Sequence, residues 1–356
     1  MFKHALLIAL RHSWRNKHSF FINIVSLSVG LAGVLFIFLW VNDEWQMDKF
    51  HANDDRLFQV MFKWDYGDRV SVGDFTFGPL ATTLQEEIPE VESATNIVHW
   101  FTDFPLSVGE NTFSYKGHYV GAAFFNVFDF KLIRGEADKV LENINSIVIS
   151  ERVAMELFGS IEQAVGNTIQ SQQGDNLMVS GVFANVPKRS TLQFDVLLPF
   201  QNFLQRAGDA HAGWENTGPY TMLTLKEDVD KELLTSKINA VIHRHYEDEE
   251  QVLSPFLRKF SDAYLYGIYE NGEQAGGRIE YVQLFSIIGI FILLLACINF
   301  MNLATARSFE RTKEVGVKKT FGIRKGKLVT QYLLESTVFA FLALFVAIAI
   351  VQLFLP

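Results

Sequence analysis

His243 and His245, followed by Glu247, Asp248, Glu249 and Glu250, are the densest set of metal-ligand residue types in this 356-residue sequence. Alternate histidines on a strand share one face and can ligate zinc together with a carboxylate. The segment reads instead as a helix end, where the two rings diverge by about 200°, and Arg244 between them repels a cation. It is read as a solvated charge run, and no metal ligand is assigned. No Gly-x-x-x-x-Gly-Lys-Ser/Thr loop occurs anywhere, because the nearest glycine cluster, Gly316 to Lys327, has the wrong spacing. ATP hydrolysis by this chain alone is therefore not expected. Gly-x-Ser-x-Gly, His-Glu-x-x-His and Cys-x-x-Cys patterns are missing too, so no catalytic residue and no cofactor is assigned.

Other polar residues stand out because they sit inside long apolar runs. Glu335 lies about two turns into one of them, where an acid is costly unless paired. It either snorkels or meets a basic partner such as Lys327 or a residue of the preceding loop; ion coupling is the sharper reading. Asn299 and Asn302 are three residues apart on one helix face near the end of another run. They read as hydrogen-bonding contacts between helices, with transmission of motion as the alternative. Ser26, Gly30 and Gly33 lie on nearby faces of the first run and permit close helix approach.

The runs themselves decide the class. Mean hydropathy is +0.14 and only 20% of residues are charged. The apolar residues are concentrated rather than dispersed, in uncharged stretches at residues 18–42, 281–306 and 336–356, the last preceded by Leu328 to Leu334 with Glu335 as the only interruption. The core of the first, Phe20 to Val41, spans about 33 Å as a helix, enough to cross a bilayer. It is too long for a signal-peptide core, and Trp40, Val41 and Asn42 supply no small-residue cleavage site, so it reads as a retained anchor. Residues 1–18 carry Lys3, Arg11, Arg15 and Lys17 without an acid, and residues 307–334 carry eight basic residues against Glu310 and Glu314. Both segments are expected in the cytosol. Residues 42–280 hold 19 basic and 37 acidic residues, belong on the other side, and make a poor nucleic-acid binder.

The expected fold is thus a multi-pass α-helical membrane protein with a large α+β extracytoplasmic domain inserted between the first and second transmembrane helices. Its parts are an amphipathic N-terminal helix over 1–18, spans over 19–41, 281–304 and 328–356, the outer domain over 42–280, and a cytoplasmic loop and helix over 305–327. Residues 1–18 read equally as an interfacial helix or as a basic flank that fixes topology. The outer segment contains no cysteine, since Cys297 lies in the second span, which suits a bacterial envelope. Within that segment a hairpin is predicted around Tyr66-Gly67-Asp68, and helices are predicted at 80–88, at 151–158 capped by Ser150, and at 228–245. Strands are predicted at 146–150 and 176–183, and the whole reads as two α+β lobes with a boundary near residues 120–130 and a return to the first lobe after about residue 215.

The segment NFMNLATARSFERTKEVGVKKTFGIRKGKLVTQYLLES, Asn299 to Ser336, resembles the signature of FtsX-like and MacB-type ABC transporter permeases. The matching residues are Arg311, Lys313, Glu314, Val315, Gly316, Lys318, Lys319 and Gly322. FHANDDRLFQV, FFNVFDFKLIRGEADKVL, SIVISERVAMELFG and VSGVFANVPKRSTLQFDVLLPF, between Phe50 and Phe200, resemble the MacB-type periplasmic core domain. Two departures stand out: Ile323 occupies a position usually held by Ala, and there are three spans where family modules have four. The resemblance therefore implies a chain truncated after the third span.

The resemblance further implies a permease of the mechanotransmission kind in the bacterial inner membrane, with its N-terminus in the cytosol. A separate cytosolic ABC ATPase dimer would hydrolyse ATP, and the permease would carry that motion to the outer domain for export or extraction of an envelope substrate. The eight matching residues would couple to the ATPase. A second permease chain or module, a periplasmic partner and the lipid bilayer are the other implied partners. The alternative is an envelope sensor, or a regulator of a cell-wall enzyme, without cargo; the 28 or so residues between the last two spans are too few for a signalling kinase.

Overall fold

The computed structural model describes residues 17–246, 252–310 and 312–355. The chain divides into two compact units: one holds the long apolar helices, and the other comprises Gln46–Ile279. The helix expected over residues 1–18 lies outside the described residues except for Lys17 and His18, which begin α1 (Lys17–Trp45). Glu247 to Glu250 also lie outside them.

After α1 the chain enters the interspan domain. The predicted hairpin is β1 (Leu57–Asp65) with β2 (Val70–Gly73), pairing Phe62 with Gly73 and Asp65 with Val70. Helix α2 (Leu80–Glu87) is bracketed by Pro79 and Pro89, which prevent its extension. Next come β3 (Val91–Val98), the hairpin β4 (Asp103–Val108) and β5 (Asn111–Val120), the turn α3 (Phe124–Val127), β6 (Leu132–Arg134) and β7 (Ser146–Ser150). Helix α4 (Glu151–Phe158) starts where the Ser150 hydroxyl accepts from the Val153 N–H and stops at Gly159 in the left-handed region, φ 76°. The short α5 (Ile161–Ala164), the hairpin β8 (Thr168–Ser171) and β9 (Asn176–Phe183), then β10 (Val196–Pro199) and α6 (Phe200–Ala207) follow. The domain ends with β11 (Tyr220–Leu225), α7 (Lys231–His245) capped by Asp230, β12 (Val252–Lys259), and the hairpin β13 (Ile268–Glu270) with β14 (Glu273–Gly276).

Twelve strands form one continuous sheet, and part of it closes on itself. Strand β10 pairs parallel with β5 and antiparallel with β7, completing a six-stranded ring through β9, β8 and β4. Closure removes free edges from this part of the sheet. At the seam a Cβ on Gly117 would lie 2.5 Å from the Val196 carbonyl oxygen, so only glycine admits the pairing. Phe104, Leu106, Ile147, Ile149, Ile169 and Val179 belong to the core of this ring.

The rest of the sheet has two buried faces, which the period of two separates. Phe58, Val60, Phe62, Leu223 and Leu225 pack with α2 and α7, while Leu57 and Met222 point into a phenylalanine cluster. There Phe130 meets Phe194 edge-on at 4.9 Å and lies parallel to Phe124 at 5.8 Å. Contacts of this kind add about 0.5–1.5 kcal/mol each beyond area burial.

The chain then forms α8 (Ile279–Glu310), the short α9 (Thr312–Thr320) and α10 (Lys325–Phe354). Helices α1, α8 and α10 each contain a stretch long and apolar enough to cross a membrane. Small residues set their spacing. A Cβ on Gly30 would lie 2.9 Å from the Ala296 Cβ, and one on Gly289 would lie 3.1 Å from Ile37. Ala343 is buried with Leu27 and Ala296, and Ala347 with Ala32. Gly33, named with Gly30 from the sequence, makes a looser approach of 4.0 Å to Ile292.

Candidate functional site

The segment between the second and third spans holds α9 and, after it, a break in helical structure before α10. Arg311, between α8 and α9, lies outside the described residues, and α9 begins at Thr312. At the far end the Phe321 N–H donates to the Val317 carbonyl and the Gly322 N–H to Lys319, with Gly322 in the left-handed region at φ 80°. That ending is the one glycine supports best. Arg324 is extended, φ −65° and ψ 137°, and its carbonyl accepts from the Lys327 N–H in the first turn of α10.

The described side chains of this segment separate into one that faces inward and several that do not. Val315 lines a cavity of about 430 Å³, together with Leu27 of α1, Ala304 and Thr305 of α8, and Tyr332 and Glu335 of α10. Lys319, Val317 and Ile323 are exposed, and Phe321 is 83% exposed, the largest value among the exposed large hydrophobic residues. A Cβ on Gly316 would meet nothing within 4 Å. Gly322 and Thr320 are also exposed. In α9, Val315 thus faces the cavity while Gly316, Val317, Lys319 and Thr320 are exposed, and the exposed Phe321 and Ile323 follow the helix.

Lys313, Glu314 and Lys318 are on α9 by their backbone positions, and the Glu314–Lys318 pair suggested by their spacing falls on side chains outside the described set. Asn299 donates from Nδ2 to the Ser26 hydroxyl at 2.6 Å, joining α8 to α1. Asn302 is exposed and is not part of that bond. Glu335 is half-buried and lines the cavity above Val315. The cavity also receives Asn23, whose Oδ1 is buried with no hydrogen-bond partner among the described residues. The cavity wall thus mixes aliphatic and aromatic groups with an acid, an amide and hydroxyls.

His243 and His245 end α7, and both are exposed. The His245 ring stacks on Trp214 at 4.6 Å, and Arg244 pairs with Glu87 at 2.7 Å. Among the described residues no group of three or more His, Cys, Asp and Glu side chains could hold a metal ion.

Sequence reasoning missed Phe321, Tyr332 and Asn23. Phe321 reads as part of a turn because Gly322 follows it, and its only signal is a large apolar residue in a basic loop. Tyr332 and Asn23 are single polar groups in apolar runs, the signal that did pick out Glu335.

Comparison with known proteins bears on these elements. Residues 20–241 match the family described as the MacB-like periplasmic core domain, and residues 286–356 match the FtsX-like permease C-terminal family. A macrolide export ATP-binding/permease protein, MacB, of Shewanella sp. (strain W3-18-1) is 24% identical over 344 residues, covering 94% of this chain and 49% of that protein. The MacB protein of Neisseria meningitidis serogroup A / serotype 4A (strain DSM 15465 / Z2491) is 24% identical over 246 residues, covering 65% of this chain and 35% of that protein. The chain thus spans about a third to a half of the length of these curated relatives. The crystal structure of a domain of a putative permease from Porphyromonas gingivalis superimposes with a TM-score of 0.50 at 25% identity, covering 59% of this chain and 93% of that domain.

Proposed function

The chain belongs to the permease family with a MacB-like periplasmic core domain and an FtsX-like membrane region, and from that premise we propose that it couples ATP hydrolysis in a separate cytosolic ABC ATPase to movement of its interspan domain. In this reading α9 is the handle that the ATPase grips. The N-terminus and residues 305–327 are cytoplasmic, residues 42–280 lie outside the inner membrane, and 19–41, 281–304 and 328–356 are the spans. The work done outside is export or extraction of an envelope substrate, and a second permease chain or module completes the membrane part.

One observation carries the reading: α9 turns the half-buried Val315 to the cavity while Gly316, Val317, Lys319 and the following Phe321 remain exposed. A loop that served only to set topology needs its charges but not an open glycine or an exposed phenylalanine. The charge asymmetry of the sequence supports the orientation. Arg311, Lys313, Lys318 and Lys319 attract an acidic partner surface, and Gly316 lets its backbone come close.

The test is co-purification. Gly316→Trp leaves charge and topology unaltered but puts a bulky group on the open face, so it should abolish capture of the cognate ATPase and any stimulation of ATP hydrolysis. Charge reversal at Lys318 and Lys319 should weaken capture and reduce its salt sensitivity. Equal capture by Gly316→Trp and the parent chain would show that α9 is not the docking element.

A further inference from the structure

The segment that follows the first span is bolted to the interspan domain by a buried acid. Asp48, three residues beyond the end of α1, is 0% exposed and has a left-handed backbone, φ 59°. Its Oδ1 accepts from the Thr191 N–H at 2.8 Å and its Oδ2 from the Thr191 hydroxyl at 2.7 Å. Its own N–H donates to the Arg189 carbonyl at 2.8 Å, and the Arg189 guanidinium reaches back to the Gln46 side chain. Main chain and side chain at one residue are thus both spent on a loop 143 positions away.

The next residues leave no slack. His51 is buried among Phe50, Phe128, Phe130 and Phe260, and its Nδ1 accepts from the Asp129 N–H at 3.1 Å. The Asp129 carboxylate in turn accepts from the Ala52 N–H at 2.6 Å. Asn53 donates to the Val127 carbonyl at 3.0 Å and to the Thr224 hydroxyl at 3.2 Å. On the far side of the bracket, the loop bearing Arg189 and Thr191 runs into β10, the strand that closes the six-stranded ring. A flexible tether would hold the domain to its span equally well, but it would absorb displacement instead of passing it on. A fixed carboxylate bridge does the opposite.

We propose that Asp48 is a positioning residue for transmission: by locking the chain after the first span to Thr191 and Arg189, it delivers movement of that span to the ring of the interspan domain. The role rests on the coupling function proposed above. Burial pushes the Asp48 carboxyl upward, and the two bonds from Thr191 oppose that shift, as expected for an acid held inside for its geometry.

Two substitutions separate geometry from strain. Asp48→Gly accepts a positive φ but removes both acceptors. Asp48→Asn also tolerates that backbone and keeps both contacts, its oxygen accepting from the Thr191 N–H and its amide donating to the Thr191 hydroxyl. The measurement is amide hydrogen exchange on the full chain in nanodiscs with its co-purified ATPase, with and without ATP. In the parent, ATP should change exchange in residues 187–199. In Asp48→Gly, exchange of residues 46–50 and 187–193 should rise at least tenfold and the ATP-dependent change should vanish, while residues 57–65 stay protected and ATP is still hydrolysed. Asp48→Asn should restore the parental behaviour. An ATP-dependent change that persists in Asp48→Gly overturns the role, as does its absence from a parent chain that stimulates its ATPase. If the parent neither captures nor stimulates an ATPase, the coupling function has failed, and the transmission role falls with it.

Discussion

Asn299 and Ser26 meet at 2.6 Å across α8 and α1, one helical turn from the point where Gly30 lets Ala296 approach. An amide-to-hydroxyl bond inside a span has no water to compete for it, yet such bonds average only about 0.6 kcal/mol, with a maximum near 1.7. The close packing beside it therefore carries more of the helix association than the bond does.

Replacing Asn299 by Leu should lower the thermal stability of the detergent-solubilised chain only slightly, consistent with about 0.5–2 kcal/mol. ATPase stimulation tells whether the bond does more than hold helices together. If stimulation falls severalfold in Asn299→Leu and Ser26→Ala at unchanged stability, the bond takes part in transmission; equal stimulation makes it packing alone.

Gly30→Val tests the packing itself. The added Cβ would start 2.9 Å from the Ala296 Cβ, so the helices must separate or shift. Overpacking of this kind costs about 1–3 kcal/mol. The clash is between two side-chain carbons, and adding Ala296→Gly should return a large part of the loss. Melting curves for the two single variants and the pair decide it, and additive losses would mean that α1 and α8 do not meet here.

How far these features could be read from residues alone depends on how local they are. Pro79 and Pro89 bracket α2, and Ser150 with Gly159 caps α4, because those signals act within a few positions of the backbone they control. The three apolar helices were equally plain, since length and absence of charge suffice. Ring closure was not, because the parallel pairing of Val196–Pro199 with Gly117–Val120 joins segments some 80 positions apart with no signature except Gly117. Asp48 was missed for the same reason: an acid just past a span looks like a solvated flank until Thr191 is beside it. At the candidate site, Gly316 and Lys319 were legible as motif positions, whereas Phe321 stood out only once its exposure was known.

Acid should destabilise the interspan domain through two buried histidines. Burial pushes His51 down to about 4 against the pull of Asp129 and Asp54, and burial likewise takes His118 to about 4. A depressed folded pKa means stability that is present above the unfolded value of 6.5 and lost as pH falls toward 4, on the order of 3 kcal/mol per histidine. Asp48 has the opposite sign: its raised carboxyl contributes stability at low pH that is lost as pH rises, so it offsets part of the decline. Urea unfolding of the full chain followed by tryptophan fluorescence should show a falling midpoint between pH 6.5 and 4. His51→Gln should flatten that slope by about half, and an unchanged slope would mean that His51 is not buried as a neutral ring.

Phe321 gives the sharpest test of the docking face, because its exposure separates binding from folding. An exposed aromatic residue contributes little to the stability of its own chain, and surface substitutions usually stay within about ±0.5 kcal/mol. Aromatic anchors that become buried in an interface are often worth 2 kcal/mol or more, about thirtyfold in affinity. Phe321→Ser should therefore weaken ATPase capture at least tenfold while the melting temperature stays put. Val315→Ser should behave differently, since Val315 is half-buried and lines the cavity. Removing its apolar contacts frees the helix, so both stability and capture should fall together. If Phe321→Ser captures the ATPase with parental affinity while Gly316→Trp does not, the contact is confined to the middle of α9, and the exposed phenylalanine meets lipid or solvent instead of the partner.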